Sequence, residues 1–317
     1  MKKDLAKILL KKISLLAMAA LMVFCLCSCT EIKLVRALSD DVLVQIEDES
    51  ASCAMGVYCL MELIDAYADD IDDTFFSRSV GDITMEEYLK ECAMEEVIML
   101  TCIGFIADDL AVYLTDEETA AAKEEAAAAF EEISEKYDTV TYGVTQSDAQ
   151  DYYEKKALYE KVYSELTDSV TMEISETDTK VIEVNFVLFP EDVDIDEAES
   201  FRLLISEGED FETACTEAGY EPYMNITVKK GDMVSAFESV AFSLNDGELS
   251  ECVETVDGIY LIECVDDYLD AESAANYNAV IMDAKDEIFE NTYSAFCESV
   301  EIRTNSDYWE KVTPSAL

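Results

Sequence analysis

Residues 180–190 read Lys-Val-Ile-Glu-Val-Asn-Phe-Val-Leu-Phe-Pro, and the character of the chain changes at this stretch. Apolar and polar residues alternate along it with the period of two that is typical of a strand. The proline ends the run, because it lacks the N–H group that a ladder of strand hydrogen bonds needs. The stretch therefore predicts the first strand of a β-containing domain.

The residues that follow complete this domain. Short helices are predicted over 194–206, 210–218 and 234–242, and two strand-like runs, 252–256 and 259–265, are separated by Asp257-Gly258. A strand, then helices, then paired strands form a small α+β domain. We expect it to span residues 179–270.

The flanking segments predict helices. Thr84 with Glu87 and Thr115 with Glu118 have the spacing of capping boxes, which predict helices over 84–113 and 115–137. Two further helices are predicted over 49–68, where apolar residues recur every three or four positions, and over 147–166. The chain returns to helix after residue 270. The expected fold class is α+β: a mostly helical domain, 29–178, to which residues 271–317 return, with the small α+β domain inserted.

The N-terminus predicts export and lipid attachment. A basic segment precedes an apolar core, residues 13–26, which is too short for a permanent membrane span but has the length of a signal-peptide core. The core ends in Leu26-Cys27-Ser28-Cys29, the order of a lipobox. We expect residues 1–28 to be removed and Cys29 to carry the lipid on the outer face of the cytoplasmic membrane. The alternative is an ordinary secretory signal that ends in a cysteine-rich stretch.

The chain is strongly acidic. Its formal net charge is −51; five of the 21 Lys and Arg but only one of the 72 Asp and Glu precede Cys29, so the mature chain carries −55. This field repels a phosphate backbone and so argues against a nucleic-acid partner. It also repels anionic lipid headgroups, so the anchor must hold the protein to the membrane. Solubility is the simplest explanation of the charge, and a cation-rich envelope is the alternative.

The amino-acid composition excludes most common kinds of catalytic site. The sequence contains no histidine, which excludes Ser-His-Asp and Cys-His sites and every zinc site that needs His. No glycine-rich phosphate loop occurs among its 9 glycines. We therefore expect no metal and no cofactor. The eight cysteines beyond Cys29 contain no C-x-x-C pair; they either form disulfides or stay reduced as small buried residues, the interpretation we favour.

The strongest motif lies in the second half of the predicted α+β domain. Residues 232–244 read DMVSAFESVAFSL, and Gly247-Glu248-Leu249-Ser250 and Val253-Glu254-Thr255 follow. In this order they resemble the Q-M-x-x-x-F-E-x-A-A-F-x-L, G-E-x-S and V-x-T motifs of the parvulin family of peptidyl-prolyl isomerases. With its helical flanks, the mature chain is similar to PrsA- or SurA-type extracytoplasmic foldases.

This resemblance implies a site for proline-containing peptides. Met233 and Phe237 align with positions that line the family's proline pocket, and they lie four residues apart on a predicted helix, so both project from one face. Thr255 aligns with a threonine of that site. The alternative for all three is an ordinary structural role, since any amphipathic helix offers such a pair.

The chain also departs from the family pattern. Active parvulins carry one histidine in the first strand and another in the last, and these positions hold Phe186 and Tyr260. Glu221 aligns with the acidic or thiol side chain that faces the substrate carbonyl. We assign Phe186 to substrate binding and Glu221 and Tyr260 to the catalytic positions, and we expect weak or absent isomerase activity.

Three functions follow from these observations. The preferred hypothesis is a membrane-anchored chaperone that binds unfolded or proline-containing secreted polypeptides. The second is a working prolyl isomerase with an atypical site, and the third is a purely structural acidic lipoprotein. The resemblance also allows a homodimer formed through the helical domain.

Overall fold

The computed structural model describes residues 33–34, 38–170, 174–175, 177–220 and 223–317, with the backbone alone for Lys33, Leu34 and Tyr223. The predicted signal peptide and Cys29 lie outside these residues. The helices, in chain order, are α1 (Cys53–Ala66), α2 (Met85–Leu110), α3 (Asp116–Lys136), α4 (Gln146–Thr167), α5 (Ile195–Ser206), α6 (Phe211–Ala218), α7 (Ser235–Ala241), α8 (Asp270–Ser299) and α9 (Ser306–Trp309).

The strands form small sheets, and with the long helices they give the predicted α+β class. They are, in chain order, β1 (Lys33–Leu34), β2 (Val42–Ile46), β3 (Glu49–Ser52), β4 (Ser79–Val80), β5 (Ile83–Thr84), β6 (Ile182–Leu188), β7 (Tyr223–Val228), β8 (Val253–Thr255), β9 (Gly258–Asp266) and β10 (Ile302–Thr304). Over the described residues the sheet orders are β1-β10-β2-β3, β4-β5 and β7-β6-β9-β8.

The chain divides into two compact units. Unit 1 contains the described residues up to Asp168 and those from Asp286 onward, and unit 2 contains the described residues of Ser169–Lys285. Helix α8 therefore contributes to both units. The domain limits of 178 and 270 that we expect from the sequence remain predictions. None of the helices in the described ranges is long and apolar enough to cross a lipid bilayer.

Side-chain caps fix where the helices of unit 1 begin. The Thr84 backbone N–H donates to the Glu87 carboxylate at 2.8 Å, and the Glu87 N–H donates to the Thr84 hydroxyl oxygen at 3.2 Å. Thr115 and Glu118 make the same pair of bonds at 2.7 and 3.2 Å. Both predicted capping boxes are confirmed, and each satisfies N–H groups that a helix start leaves without partners.

One predicted helix starts later than expected. Residues 49–52 form strand β3, whose antiparallel register pairs Ile46 with Glu49. Helix α1 begins only at Cys53, where the Ser52 side chain accepts a hydrogen bond from the Met55 N–H. The chain reverses at Glu47, which has a positive φ of 50°, and this turn brings 49–52 alongside β2. The prediction of helix from residue 49 was therefore wrong by four residues.

Unit 2 is a four-stranded antiparallel sheet covered on both faces. Helix α7 packs on the face formed by the even-numbered residues of β6, Ile182 to Phe186. Helices α5 and α6 pack on the opposite face, against Val187 and Leu261. The predicted strands and short helices of this unit are confirmed to within two residues. Strand β7 was not predicted, although Met224–Val228 alternates between apolar and polar residues as a strand does.

Helix α1 is the centre of unit 1. All of its residues are buried except Ala54, Asp65 and Ala66, so it is enclosed on nearly every face rather than on the single stripe that the spacing predicts. The core around it nevertheless contains two carboxyl groups. Glu62 on α1 is 8% exposed and Glu96 on α2 is 2% exposed.

Tyrosine hydroxyl groups satisfy these buried carboxyls. The Tyr152 O–H donates to Glu96 at 2.6 Å, and the Tyr153 O–H donates to Glu62 at 3.2 Å. The Cys59 thiol donates to Glu96 at 3.3 Å. Burial raises the pKa of Glu96 above its ordinary value, although the bond from Tyr152 opposes the shift. Lys156, which lies over the rings of both tyrosines, also opposes the rise in the pKa of Glu96.

This raised pKa predicts that unit 1 loses stability as the pH rises. A carboxyl group whose pKa is higher in the folded chain holds its proton more tightly there, so its contribution is present at low pH and is lost as pH rises through the folded pKa. Glu96→Gln keeps an oxygen that accepts from Tyr152 and removes the ionisation. At pH 8 we expect the free energy of unfolding to increase by about 1–3 kcal/mol, because the variant no longer has to hold an ionised carboxylate out of water.

Urea unfolding followed through Trp309, which lies in unit 1, measures this difference between pH 5 and pH 8. The gain from Glu96→Gln should shrink toward pH 5. The exposed Glu124→Gln is the matched control and should change stability at neither pH. A loss of stability of Glu96→Gln at pH 8 would contradict the argument.

Candidate functional site

Three aromatic rings meet on the α7 face of the unit 2 sheet. They belong to Phe186 on β6, Phe237 on α7 and Tyr260 on β9, and we call them the aromatic cluster. The centroid of Phe237 lies 5.3 Å from that of Phe186 and 5.2 Å from that of Tyr260, both edge to face. The centroids of Phe186 and Tyr260 are 5.7 Å apart. These spacings are the favourable range for aromatic pairs.

The register of strands β6 and β9 explains why the rings of Phe186 and Tyr260 lie close together. Leu188 pairs with Tyr260 and Phe186 pairs with Ile262 across the β6–β9 ladder. Partners in an antiparallel ladder share a face, and so do residues two apart on one strand. Phe186 and Tyr260 are therefore diagonal neighbours on the face that receives α7. The two positions that the sequence resemblance aligns with the parvulin histidines are thus close together, and they carry an apolar ring and a phenol.

The cluster is filled rather than open. Phe237 is 0% exposed, Tyr260 6% and Phe186 8%. A peptide could reach the ring of Phe237 only if a neighbouring side chain moved. In this arrangement Phe237 contributes to the core of unit 2, and its assignment to substrate binding stays a prediction.

The prediction that Met233 shares a helix with Phe237 was wrong: Met233 lies in the loop that leads into α7, and it is half-buried against the same core. The Glu238 carboxylate holds this loop, because it accepts from the Gly231 N–H at 2.7 Å and from the Met233 N–H at 2.9 Å. The backbone of Met233 is thus fixed while its side chain keeps some exposed surface. Of the two predicted pocket residues on this segment, Met233 is the more accessible.

Thr255 lies at the turn between β8 and β9. Its hydroxyl donates to the Gly258 carbonyl at 3.1 Å and accepts from the Asp257 N–H at 3.1 Å. Gly258 has φ of 131°, which a side chain would strain. The hydroxyl of Thr255 therefore closes the hairpin.

Of the two residues assigned to the catalytic positions, Glu221 lies outside the described residues. Burial raises the pKa of Tyr260, and the negative charge of Asp257 adds to the shift. Its hydroxyl consequently stays protonated at neutral pH and can act as a hydrogen-bond donor. The aromatic cluster thus offers apolar surface and one phenol.

Two apolar residues near the cluster were not predicted. Leu188 pairs with Tyr260, and Met224 on β7 pairs with Phe186, so both share the α7 face of the sheet. They remain 38% and 41% exposed. Leu188 lies in the apolar run 186–189 and Met224 precedes the polar Asn225, but only the strand register shows that they border the aromatic cluster.

A group of carboxylates lies elsewhere in unit 2. Oxygens of Asp246, Asp266 and Asp267 come within 4.8 Å of one another among the described residues. The Asp246 carboxylate accepts from the Asp267 N–H at 2.7 Å, and Asp266 accepts from the Tyr268 N–H at 2.9 Å. These bonds to backbone N–H groups give the carboxylates a role in the local turns.

Comparison with known proteins supports the resemblance read from the motifs. No family model matches the chain. The foldase protein PrsA of Oceanobacillus iheyensis is 27% identical in an alignment of 262 positions, which covers 76% of this chain and 82% of that protein. The chain is thus similar, over most of its length, to a PrsA-type foldase, as the motifs predict.

Solved structures of PrsA proteins and of a SurA-like chaperone align over much of the chain. PrsA from Bacillus cereus is 20% identical and covers 67% of this chain and 81% of its own, with a TM-score of 0.32. Foldase protein PrsA from Lactococcus lactis is 11% identical, with a TM-score of 0.33, and the alignment covers 84% of this chain and 95% of that protein. A SurA-like chaperone from Campylobacter jejuni is 10% identical, with a TM-score of 0.26, and the alignment covers 84% of this chain and 99% of that protein. At these TM-scores the superpositions carry no argument of their own.

The aromatic cluster predicts a large stability effect at Phe237. Phe237→Ala should lower the free energy of unfolding of unit 2 by about 3–5 kcal/mol, because it leaves a cavity under two rings. Phe237→Leu, which fills more of the space, should cost less. Hydrogen exchange of the β6 and β9 amides measures the change, since Trp309 lies in unit 1. Unchanged exchange in Phe237→Ala would mean that the ring is not packed and faces an open cleft.

Proposed function

We propose that this PrsA-like chain is a membrane-anchored extracytoplasmic chaperone that binds unfolded secreted polypeptides and has weak or absent prolyl isomerase activity. The observation that carries the second half of the proposal is the aromatic cluster. Phe186 and Tyr260 fill the positions of the parvulin histidines, and Phe237 beneath them has no exposed surface. The cluster supports packing of unit 2 better than it supports an open proline pocket.

Prolyl isomerisation needs a pocket that holds the ring and weakens amide resonance, against a barrier of about 18–20 kcal/mol. A filled cluster leaves no room for the ring unless side chains move. Binding of an extended apolar segment makes smaller demands. The exposed fractions of Leu188 and Met224, and the half-buried Met233, offer apolar surface for such a segment on the same face of the sheet.

Anchoring through Cys29 is part of the proposal. The lipobox supports it, and the charge of the mature chain would keep its surface from anionic headgroups, so a lipid is the physical means of attachment. Labelling cells that express this protein with a radioactive fatty acid tests whether Cys29 carries a lipid. Label should appear on the wild-type chain and be absent from Cys29→Ala. Equal label on both would contradict the assignment.

The mature chain should suppress aggregation of chemically unfolded citrate synthase and leave the isomerisation of a proline tetrapeptide at its uncatalysed rate, a matter of tens of seconds. Acceleration that is lost in Met233→Ala would instead support a prolyl isomerase with an atypical site. Met233 is suited to this test because it is half-buried, so its truncation should leave unit 2 folded. Absence of both activities would contradict the chaperone proposal.

A further inference from the structure

Unit 1 contains a groove of about 510 Å³ that the candidate site does not use. One wall is a single face of α2, where Glu87, Glu91, Met94 and Ile98 follow one another at spacings of three and four. The other wall is the C-terminal segment from Thr304 to Glu310, which includes Trp309. We call this site the α2 groove.

The apolar floor of the groove is rigidly placed. Trp309 is 8% exposed, and its indole N–H donates to the Lys90 carbonyl at 3.3 Å. On its other side the ring packs against α1, where a Cβ added at Gly56 would lie 3.5 Å from the ring. Asn305 caps the short helix by accepting from the Tyr308 N–H at 3.1 Å. Together with the half-buried Met94 and with Ile98, the indole lines the groove with apolar side chains.

Carboxylates surround this floor. Glu87, Glu91, Glu95 and Glu310 line the groove, against one lysine. That lysine, Lys90, has its ammonium nitrogen 6.0 Å from the centroid of the Trp309 ring. Burial and the negative charge of Glu91 raise the pKa of Glu95 to about 7, the sign of like charges held together in a partly buried place. A cation that entered the groove would relieve this repulsion.

We propose that the α2 groove binds a short extended segment of an unfolded polypeptide in which an apolar side chain is flanked by Lys or Arg. The inference rests on the proposed chaperone function and names the class of segment that one of its surfaces selects. The apolar side chain lies on Trp309, Met94 and Ile98, and the flanking cations approach the carboxylates at the rim. The formal charge of −51 steers basic segments toward the chain and repels acidic ones.

Trp309 is the single tryptophan of the sequence, so its fluorescence reports directly on the groove. The probes are two unstructured peptides that share a central leucine, one flanked by lysines and the other by glutamates. We expect a saturable change of the Trp309 emission with the lysine peptide, weakened by salt as screening requires. The glutamate peptide should bind at least about tenfold more weakly, since tenfold corresponds to only about 1.4 kcal/mol.

The double variant Glu91→Lys/Glu95→Lys should weaken the lysine peptide by about tenfold or more. Its matched control is Glu124→Lys/Glu131→Lys, which makes the same change of net charge on the exposed face of α3. Met94→Ala removes part of the floor and should weaken both peptides. Equal losses in the double variant and its control would show that net charge alone acts, and would overturn the proposal.

Three further results separate the alternatives. An emission change that appears on concentrating the chain without peptide, together with a doubled mass in light scattering, would assign the groove to a second copy and overturn the proposal. If the chain suppresses aggregation but its Trp309 emission changes with neither peptide, the chaperone function is supported and peptide binding in the α2 groove is contradicted. Peptide binding in the groove without suppression of aggregation would support the groove as a binding site and contradict the chaperone function.

A second and independent observation concerns two cysteines of unit 1. The sulfur of Cys102 on α2 lies 4.0 Å from that of Cys297 on α8, and both residues are buried. The rings of Phe105 and Phe296, which neighbour them on the same helices, stack at 5.4 Å. The helices are therefore packed closely at this level, and rotation of the two thiols would bring the sulfurs to the roughly 2.05 Å of a disulfide.

We infer that Cys102 and Cys297 form a disulfide when a disulfide oxidant such as oxidised glutathione is supplied during folding. The thiolate of one cysteine attacks the oxidant and releases one glutathione; the second cysteine then displaces the other, so that two protein thiols are oxidised and one glutathione disulfide is reduced to two thiols. The bond would join the two parts of unit 1 that the sequence of unit 2 separates.

Refolding with and without oxidised glutathione, followed by alkylation in denaturant and peptide mass spectrometry, tests this. We expect the oxidised chain to lose two thiols, to yield the Cys102–Cys297 cross-linked peptide and to have a higher Tm than the reduced chain. Cys297→Ala should abolish the Tm increase, and Cys92→Ala, which removes another buried cysteine of α2, should keep it. Retention of both thiols, or cross-links spread over other cysteines, would overturn the inference.

Discussion

Unit 1 depends on a three-residue strand. Two stretches of chain that lie on either side of unit 2 must meet, and β10 joins them by pairing Ile302 with Ile46 and Thr304 with Val44. The Asn305 N–H extends the ladder to the Leu43 carbonyl at 2.8 Å. The cost of closing a long loop grows only slowly with its length, so a whole unit can be inserted before this pairing without preventing it. The short helix α9 and Trp309 take their places because β10 is fixed.

The acidity of the chain has two different physical consequences. On the surface it serves solubility and steering, and its energetic effect on folding is small for each exposed group. In the core of unit 1, Glu62 and Glu96 are removed from water and depend on tyrosine hydroxyl groups. Burial raises the pKa of Glu96 and so favours its protonated form. The same residue type therefore solubilises the protein in one place and makes its stability pH-dependent in another.

Unit 2 keeps the helix and strands that its motifs predict while its central positions are apolar. Phe186, Phe237 and Tyr260 form a packed cluster, whose stability comes from buried area and ring geometry. A packed cluster and an open pocket compete for the same space. This competition is the physical reason why the proposed function places peptide binding ahead of isomerisation.

The sequence by itself determined the long helices, their capping boxes and the strand at Ile182–Leu188, because each depends on contacts a few residues apart or on a simple apolar period. It also supplied the motifs around Phe237 and hence the likeness to PrsA-type foldases. It did not determine β2, β3, β7 or β10, whose pairing partners lie elsewhere in the chain. Only the tertiary structure decided that Phe237 is enclosed by Phe186 and Tyr260, and that Trp309 contacts α2 and lines a groove beside it. These features depend on side chains far apart in sequence, and packing, rather than local propensity, sets their positions.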